Sequence, residues 1–268
     1  MSYECEKYCK LRQEHRKHVK LHYTPLHSHV YTLKEDIFVP SFVEAIRSSA
    51  SDSLHKIVTE ERPGIYSFEM LQSNFCNQFL EEIVSYKSWC EKENIDVQPP
   101  NSMNNYGVIL DDLGFGPFLK ELMTKYVTPL SGLLFKDVGG DSLDENHGFI
   151  VEYGMEKDTS LGFHTDDSEI TLNVCLGKHF TGGTLYFEGL REHECLQTSS
   201  LQNVHLEIMH KIGRAILIQG QQMHGANDIT SGERYNLIMW CKSSKFRQEH
   251  NVHAGCSDGC EWRAQKTE

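Results

Sequence analysis

Between Gly148 and Trp240 the chain breaks into short β-rich runs separated by glycine-bearing turns, and this texture constrains the fold more than any other feature. The runs are Phe149 to Tyr153, Ile170 to Leu176, Thr184 to Phe187, Ala215 to Ile218 and Tyr235 to Trp240. Gly154, Gly177, Gly182-Gly183, Gly213, Gly220 and Gly232 punctuate them. Short strands at such spacing predict an all-β barrel or a double-sheet jelly roll, here over residues 136–245.

The preceding stretch, residues 39–135, reads as helical. Val39-Pro40-Ser41 opens a short helix through Phe42, Ala45 and Ile46, which the Ser-rich stretch 48–53 closes. A longer helix starts at Ser73, with Phe75, Phe79, Leu80, Ile83, Val84 and Tyr86 near helical spacing and Glu81 and Glu82 predicted for the other face. Leu119, Leu122, Met123 and Tyr126 predict another helix that stops before Pro129. These helices are expected to buttress the β core, giving an α+β class. Residues 1–38, with Lys7, Lys10, Arg12, Arg16, Lys17 and Lys20 among five histidines from His15 to His29, read as a solvated basic arm. In the tail, 246–268, His250, His253, Cys256 and Cys260 are zinc-ligand types, but their spacing matches no standard finger and a solvent-exposed tail is expected.

The net charge of -12 opposes a nucleic-acid partner, since affinity for phosphate comes largely from Lys and Arg. Nine cysteines, an odd number without a regular frame, and the lack of an N-terminal signal pattern predict a reducing compartment, cytoplasmic or nuclear. No apolar stretch is long enough to span a bilayer.

Within the β-rich region lie His164-Thr165-Asp166, His224 and, ten residues later, Arg234. On a strand, residues two apart share a face, so His164 and Asp166 can ligate one metal while Thr165 points away. His224 would complete the set. Two imidazoles and one carboxylate leave half an octahedron open, the facial arrangement of non-haem Fe(II) oxygenases. The same alternation puts Arg234, Asn236, Ile238 and Trp240 on one face, aiming a guanidinium into an apolar cavity. Such a charge calls for a carboxylate partner, and a dicarboxylate cosubstrate would supply it. A zinc hydrolase can use His, His and Asp too, but gives Arg234 no work. A non-catalytic sensor that keeps metal and ligand is the other alternative.

The order Tyr153, His164-Thr165-Asp166, Thr171-Leu172-Asn173-Val174, Gly182-Gly183, His224 and Arg234 resembles the 2-oxoglutarate and Fe(II)-dependent oxygenases, in particular the prolyl and lysyl hydroxylase branch. The resemblance covers roughly residues 99–244, including Asn101 to Leu110 and Glu169 to Lys178. It implies a double-stranded β-helix of the jelly-roll, cupin-like kind. It also implies Fe(II) on His164, Asp166 and His224, and 2-oxoglutarate paired to Arg234 with Asn173 and Tyr153 beside it. O2 would be the oxidant and ascorbate a supporting reductant. The implied reaction converts 2-oxoglutarate to succinate and CO2 while hydroxylating an aliphatic carbon, more in keeping with a lysine or proline side chain of a protein or peptide than with a free metabolite. Relatives that halogenate replace the carboxylate ligand by a small residue, so Asp166 points to hydroxylation.

Overall fold

The computed structural model describes residues 3–48, 51–190, 205–250 and 252. In chain order the helical part comprises α1 (Tyr3–His22), α2 (Pro40–Ser48), α3 (Ser51–Ile57), α4 (Ser73–Lys92), α5 (Gly116–Leu122) and α6 (Thr128–Leu134), and α7 (Ser244–Glu249) follows the last strand. The strands are β1 (Thr59–Arg62), β2 (Ile65–Glu69), β3 (Gly107–Ile109), β4 (Glu145–Gly154), β5 (Leu161–His164), β6 (Ile170–Gly177), β7 (Phe180–Gly182), β8 (Leu185–Leu190), β9 (Leu206–Ile208), β10 (Arg214–Gln219), β11 (Gln222–Ala226) and β12 (Ile229–Lys242).

Two antiparallel sheets form the core. The major sheet runs β1-β2-β10-β6-β12-β4-β3, with β7 paired to β12, and the minor sheet runs β5-β11-β8-β9. Strand alternation divides the major sheet's side chains cleanly. Ile170, Leu172, Val174 and Leu176 of β6 and Tyr235, Leu237 and Met239 of β12 join the helices in one core. Phe149 and Val151 of β4, Ile216 and Ile218 of β10 and Ile238 and Trp240 of β12 turn the other way, onto Leu185 and Phe187 of the minor sheet. Runs buried on both faces lack a clear polar side, which is why β4 and β6 read in the sequence as nearly continuous apolar segments. The arrangement is a double-stranded β-helix with helices on the outer face of the major sheet.

Several sequence expectations need correction. Residues 39–135 are not purely helical, because β1, β2 and β3 come from them and extend the major sheet at both edges. The Ser-rich stretch ends α2, but α3 starts inside it at Ser51. The helix through Leu122 does not stop before Pro129. It widens into a π turn at Met123–Val127 and continues as α6, with Pro129 in the first turn, where a missing N–H is tolerated.

Glu82 departs most from its expected place. It is fully buried while Val84 is exposed. Its carboxylate accepts from the Tyr23 hydroxyl at 2.8 Å, the Tyr31 hydroxyl at 2.8 Å and the His27 backbone N–H at 2.6 Å, so burial is compensated by hydrogen bonds. These three donors belong to the segment expected to be a solvated arm. That segment begins instead as α1, whose Arg12 is buried against Asp112 at 3.0 Å and whose Val19 joins the helical core. In the tail, His250 is exposed and stacks on Phe246, whereas His253, Cys256 and Cys260 lie outside the described residues.

Candidate metal centre

β5 and β11 are paired so that His164 faces His224 directly across the ladder. Asp166 sits just beyond the end of β5 rather than on it. Its backbone N–H donates to the Gly220 carbonyl at 2.8 Å, which holds the segment after the strand against the turn before β11. One ligand atom from each of the three residues lies within 4.8 Å of the other two. His164 Nε2 is 3.6 Å from Asp166 Oδ1, and His224 Nε2 is 3.7 Å from Asp166 Oδ2.

Hydrogen bonds fix the tautomers. His164 Nδ1 meets the Gly162 carbonyl at 2.9 Å and His224 Nδ1 meets the Gln222 carbonyl at 2.8 Å. A carbonyl can only accept, so both Nδ1 atoms carry hydrogen and both Nε2 lone pairs face the gap. Burial and the neighbouring His224 push the His164 pKa down, which favours the neutral, ligating imidazole. The donor set suits Fe(II) or another borderline divalent ion.

Thr171, two residues before Asn173 on the same face of β6, donates to Asp166 Oδ2 at 2.6 Å and is itself within 2.8 Å of Ser168 Oγ. This orients the carboxylate. Thr171→Val removes that donor with little change in shape, and iron affinity in a chelator competition is expected to fall by about tenfold. Behind the ligand, Arg247 of α7 is buried and binds Glu169 at 2.9 Å and Asp167 at 2.9 Å, so the last helix clamps the segment that carries Asp166.

The cavity that opens on these ligands is bounded by Phe149, Tyr153, Asn173, Phe187, Arg234 and Trp240, among others. Arg234 is only 1 % exposed. It lies 4.2 Å over the Tyr153 ring and donates from Nη1 to the Gly183 carbonyl, while its Nε has no partner. Among the described residues no carboxylate pairs with it, and burial pushes its pKa down. Gly183 makes the approach possible: its φ is +65°, and a Cβ there would stand 2.9 Å from Arg234 Nη1. The Tyr153 hydroxyl accepts from Asn104 Nδ2 at 3.1 Å, and Asn101 in turn orients Asn104. Asn173 accepts at Oδ1 from Asn236 Nδ2 at 2.6 Å.

The six residues expected from the sequence therefore surround one cavity. Sequence reasoning gave no role to Thr171, Asn104 or Asn236. Thr171 and Asn236 were within reach of strand alternation, as neighbours of Asn173 and Arg234 on the same faces. Asn104 follows a Pro-Pro pair in an irregular segment and carries no such signal.

Comparison with known proteins decides the family. The chain is 38% identical over 258 residues to 2-oxoglutarate and iron-dependent oxygenase domain-containing protein 2 of Xenopus tropicalis, covering 92% of this chain and 71% of that protein. The chain belongs to the 2-oxoglutarate and Fe(II)-dependent oxygenases. Residues 19–140 of this oxygenase-family chain also match an OGFOD2-like domain. It is 42% identical over 248 residues to the oxygenase domain-containing protein CP2 of Arabidopsis thaliana, covering 92% of this chain but only 63% of that relative's length. Among solved structures, a prolyl hydroxylase in complex with a hypoxia inducible factor peptide fragment from Trichoplax adhaerens has a similar fold. The TM-score is 0.52 at 14% identity, over 82% of this chain and 98% of that one. The family uses Fe(II) and 2-oxoglutarate, and its metal-binding triad is present here as His164, Asp166 and His224. Among the described residues no helix is long and apolar enough to cross a membrane.

Proposed function

We propose that this protein is an Fe(II)- and 2-oxoglutarate-dependent dioxygenase that hydroxylates an aliphatic carbon of a protein side chain, of lysine or proline type. The observation that carries the reading is Arg234: a buried guanidinium with no acid partner among the described residues, on the wall of the cavity that opens on three metal-ligand side chains. Leaving such a charge unpaired is costly, and the distal carboxylate of 2-oxoglutarate would compensate it by charge-assisted hydrogen bonding. Tyr153, under the Arg234 guanidinium, and Asn173, elsewhere on the wall of the same cavity, would orient the same carboxylate or the carbons behind it. His164, Asp166 and His224 would hold Fe(II), three protein ligands that leave room on the ion for cosubstrate and O2. Bound together, iron, 2-oxoglutarate and O2 supply an oxidant strong enough to attack an unactivated C–H bond, with succinate and CO2 as coproducts.

The chain's own part is geometric. Apolar walls from both sheets exclude water, and the Thr171 hydrogen bond keeps the carboxylate ligand in one orientation. A protein substrate is favoured over an enclosed metabolite because the ligand set is not sealed from solvent: the side chain of His164 itself keeps 12 % of its surface exposed. The similar-fold prolyl hydroxylase, solved with a peptide, points the same way. The net charge of -12 speaks against nucleic acid.

The test is turnover with Fe(II), ascorbate, 2-oxoglutarate and a proteome-derived peptide library. Succinate should form, and peptide products should be heavier by one oxygen. Binding of 2-oxoglutarate without oxygen consumption would make the protein a sensor. Stoichiometric zinc after anaerobic purification, with no affinity for 2-oxoglutarate, would make it a hydrolase.

A further inference from the structure

His210 lies in the connection from β9 to β10, where the chain passes from the minor to the major sheet, and it is buried close to Arg234 and Asn236. It is not one of the three metal-ligand side chains. Its Nδ1 is 3.4 Å from Asn236 Nδ2, a long contact, and the same Asn236 amide nitrogen is 2.6 Å from Asn173 Oδ1. Three polar atoms in this group are buried without partners: His210 Nε2, Asn236 Oδ1 and Arg234 Nε.

The amide orientations set the direction of each hydrogen bond. Asn236 donates from Nδ2 to Asn173 Oδ1 at 2.6 Å. The second hydrogen of that NH2 points to His210, so Nδ1 must be bare and the imidazole proton must sit on Nε2. Burial and the charge of Arg234 hold the His210 pKa well below the ordinary imidazole value, which keeps this neutral form. The alternative tautomer would donate to Asn236 Oδ1, turn that amide round, and make Asn173 turn with it. The tautomer of one buried histidine therefore selects which end of Asn173 faces the cavity.

We propose that His210 is a positioning residue for the cosubstrate: by accepting from Asn236 it directs the Asn236–Asn173 relay so that Asn173 offers its NH2, not its carbonyl oxygen, to the dicarboxylate. The inference rests on the functional reading above. It accounts for a polar imidazole in a place where an apolar side chain would pack without a buried, unpaired Nε2.

The experiment measures the affinity of the full chain for 2-oxoglutarate by calorimetry with Mn(II) in place of Fe(II), alongside steady-state kinetics and thermal midpoints. His210→Leu should weaken binding by about tenfold, the size of a lost hydrogen-bond contribution to a charged ligand. KM for 2-oxoglutarate should rise in step, and kcat at saturating cosubstrate should change little. His210→Asn, whose Oδ1 restores an acceptor, should recover most of the affinity. Asn173→Asp leaves the relay intact but presents an oxygen to the cavity, so it should abolish binding even if His210→Leu does not fold. Wild-type affinity in either His210→Leu or Asn173→Asp overturns the proposal, as does a His210→Asn variant that binds no better than His210→Leu at the same thermal midpoint. If the wild-type chain itself fails to bind 2-oxoglutarate, the functional reading falls and the relay falls with it. If the wild type binds and the variants do not follow, only the relay falls.

Discussion

Asp166→Ala should abolish turnover, with succinate formation falling by at least about 100-fold, because it removes the only carboxylate of the metal set and the charge that neutralises the ion. The fold should survive. Asp166 lies beyond the end of β5, and its loss leaves the β5–β11 ladder and both histidine-to-carbonyl hydrogen bonds in place. Far-ultraviolet circular dichroism should therefore match wild type while iron content drops. His224→Ala reaches deeper, since His224 sits in the middle of a paired strand, so Asp166→Ala is the cleaner variant. Full activity in iron-loaded Asp166→Ala would remove this site from the chemistry.

Arg234→Met should raise the dissociation constant for 2-oxoglutarate by about 30-fold or more, which corresponds to about 2 kcal/mol or more for a lost buried charge pair. It should not destabilise the ligand-free protein in proportion. The guanidinium is desolvated without a carboxylate partner among the described residues, so methionine of similar reach relieves a burial penalty while losing one hydrogen bond to the Gly183 carbonyl. The expected signature is a thermal midpoint equal to or above wild type without 2-oxoglutarate, together with loss of the stabilisation that 2-oxoglutarate gives the wild type. A fall in the ligand-free midpoint with unchanged affinity would show Arg234 to be a structural residue.

The sequence disclosed the site more fully than the frame around it, and the reason is periodicity. His164, Asp166, His224, Asn173 and Arg234 sit on or next to strands whose alternation and punctuating glycines are local signals. Glu82 defeats the helical pattern because its burial depends on Tyr23, His27 and Tyr31, more than fifty residues away in the chain. No local rule anticipates three donors from there. The same long-range contacts turn the basic N-terminal segment from an arm into part of the buttress. β1 and β3 are only four and three residues long, so pairing at the sheet edges, not propensity, makes them strands. Pro129 misled for another reason: a helix that widens into a π turn can restart, and the restart has a first turn that accepts proline.

The two-sheet core has a bearing on which acid can be used. Metal ligands project from the minor sheet and its margin, whereas Arg234 projects from the major sheet, so the sheets act as the jaws of a caliper. The gap between packed sheets is about 10 Å and is held open by the aromatic and branched side chains between them. A diacid that must touch the metal and Arg234 together is thereby gauged for length. Phe149, Phe187, Ile216 and Ile218, which contact no reacting atom in this scheme, become the shims that decide whether a four-, five- or six-carbon acid closes the span.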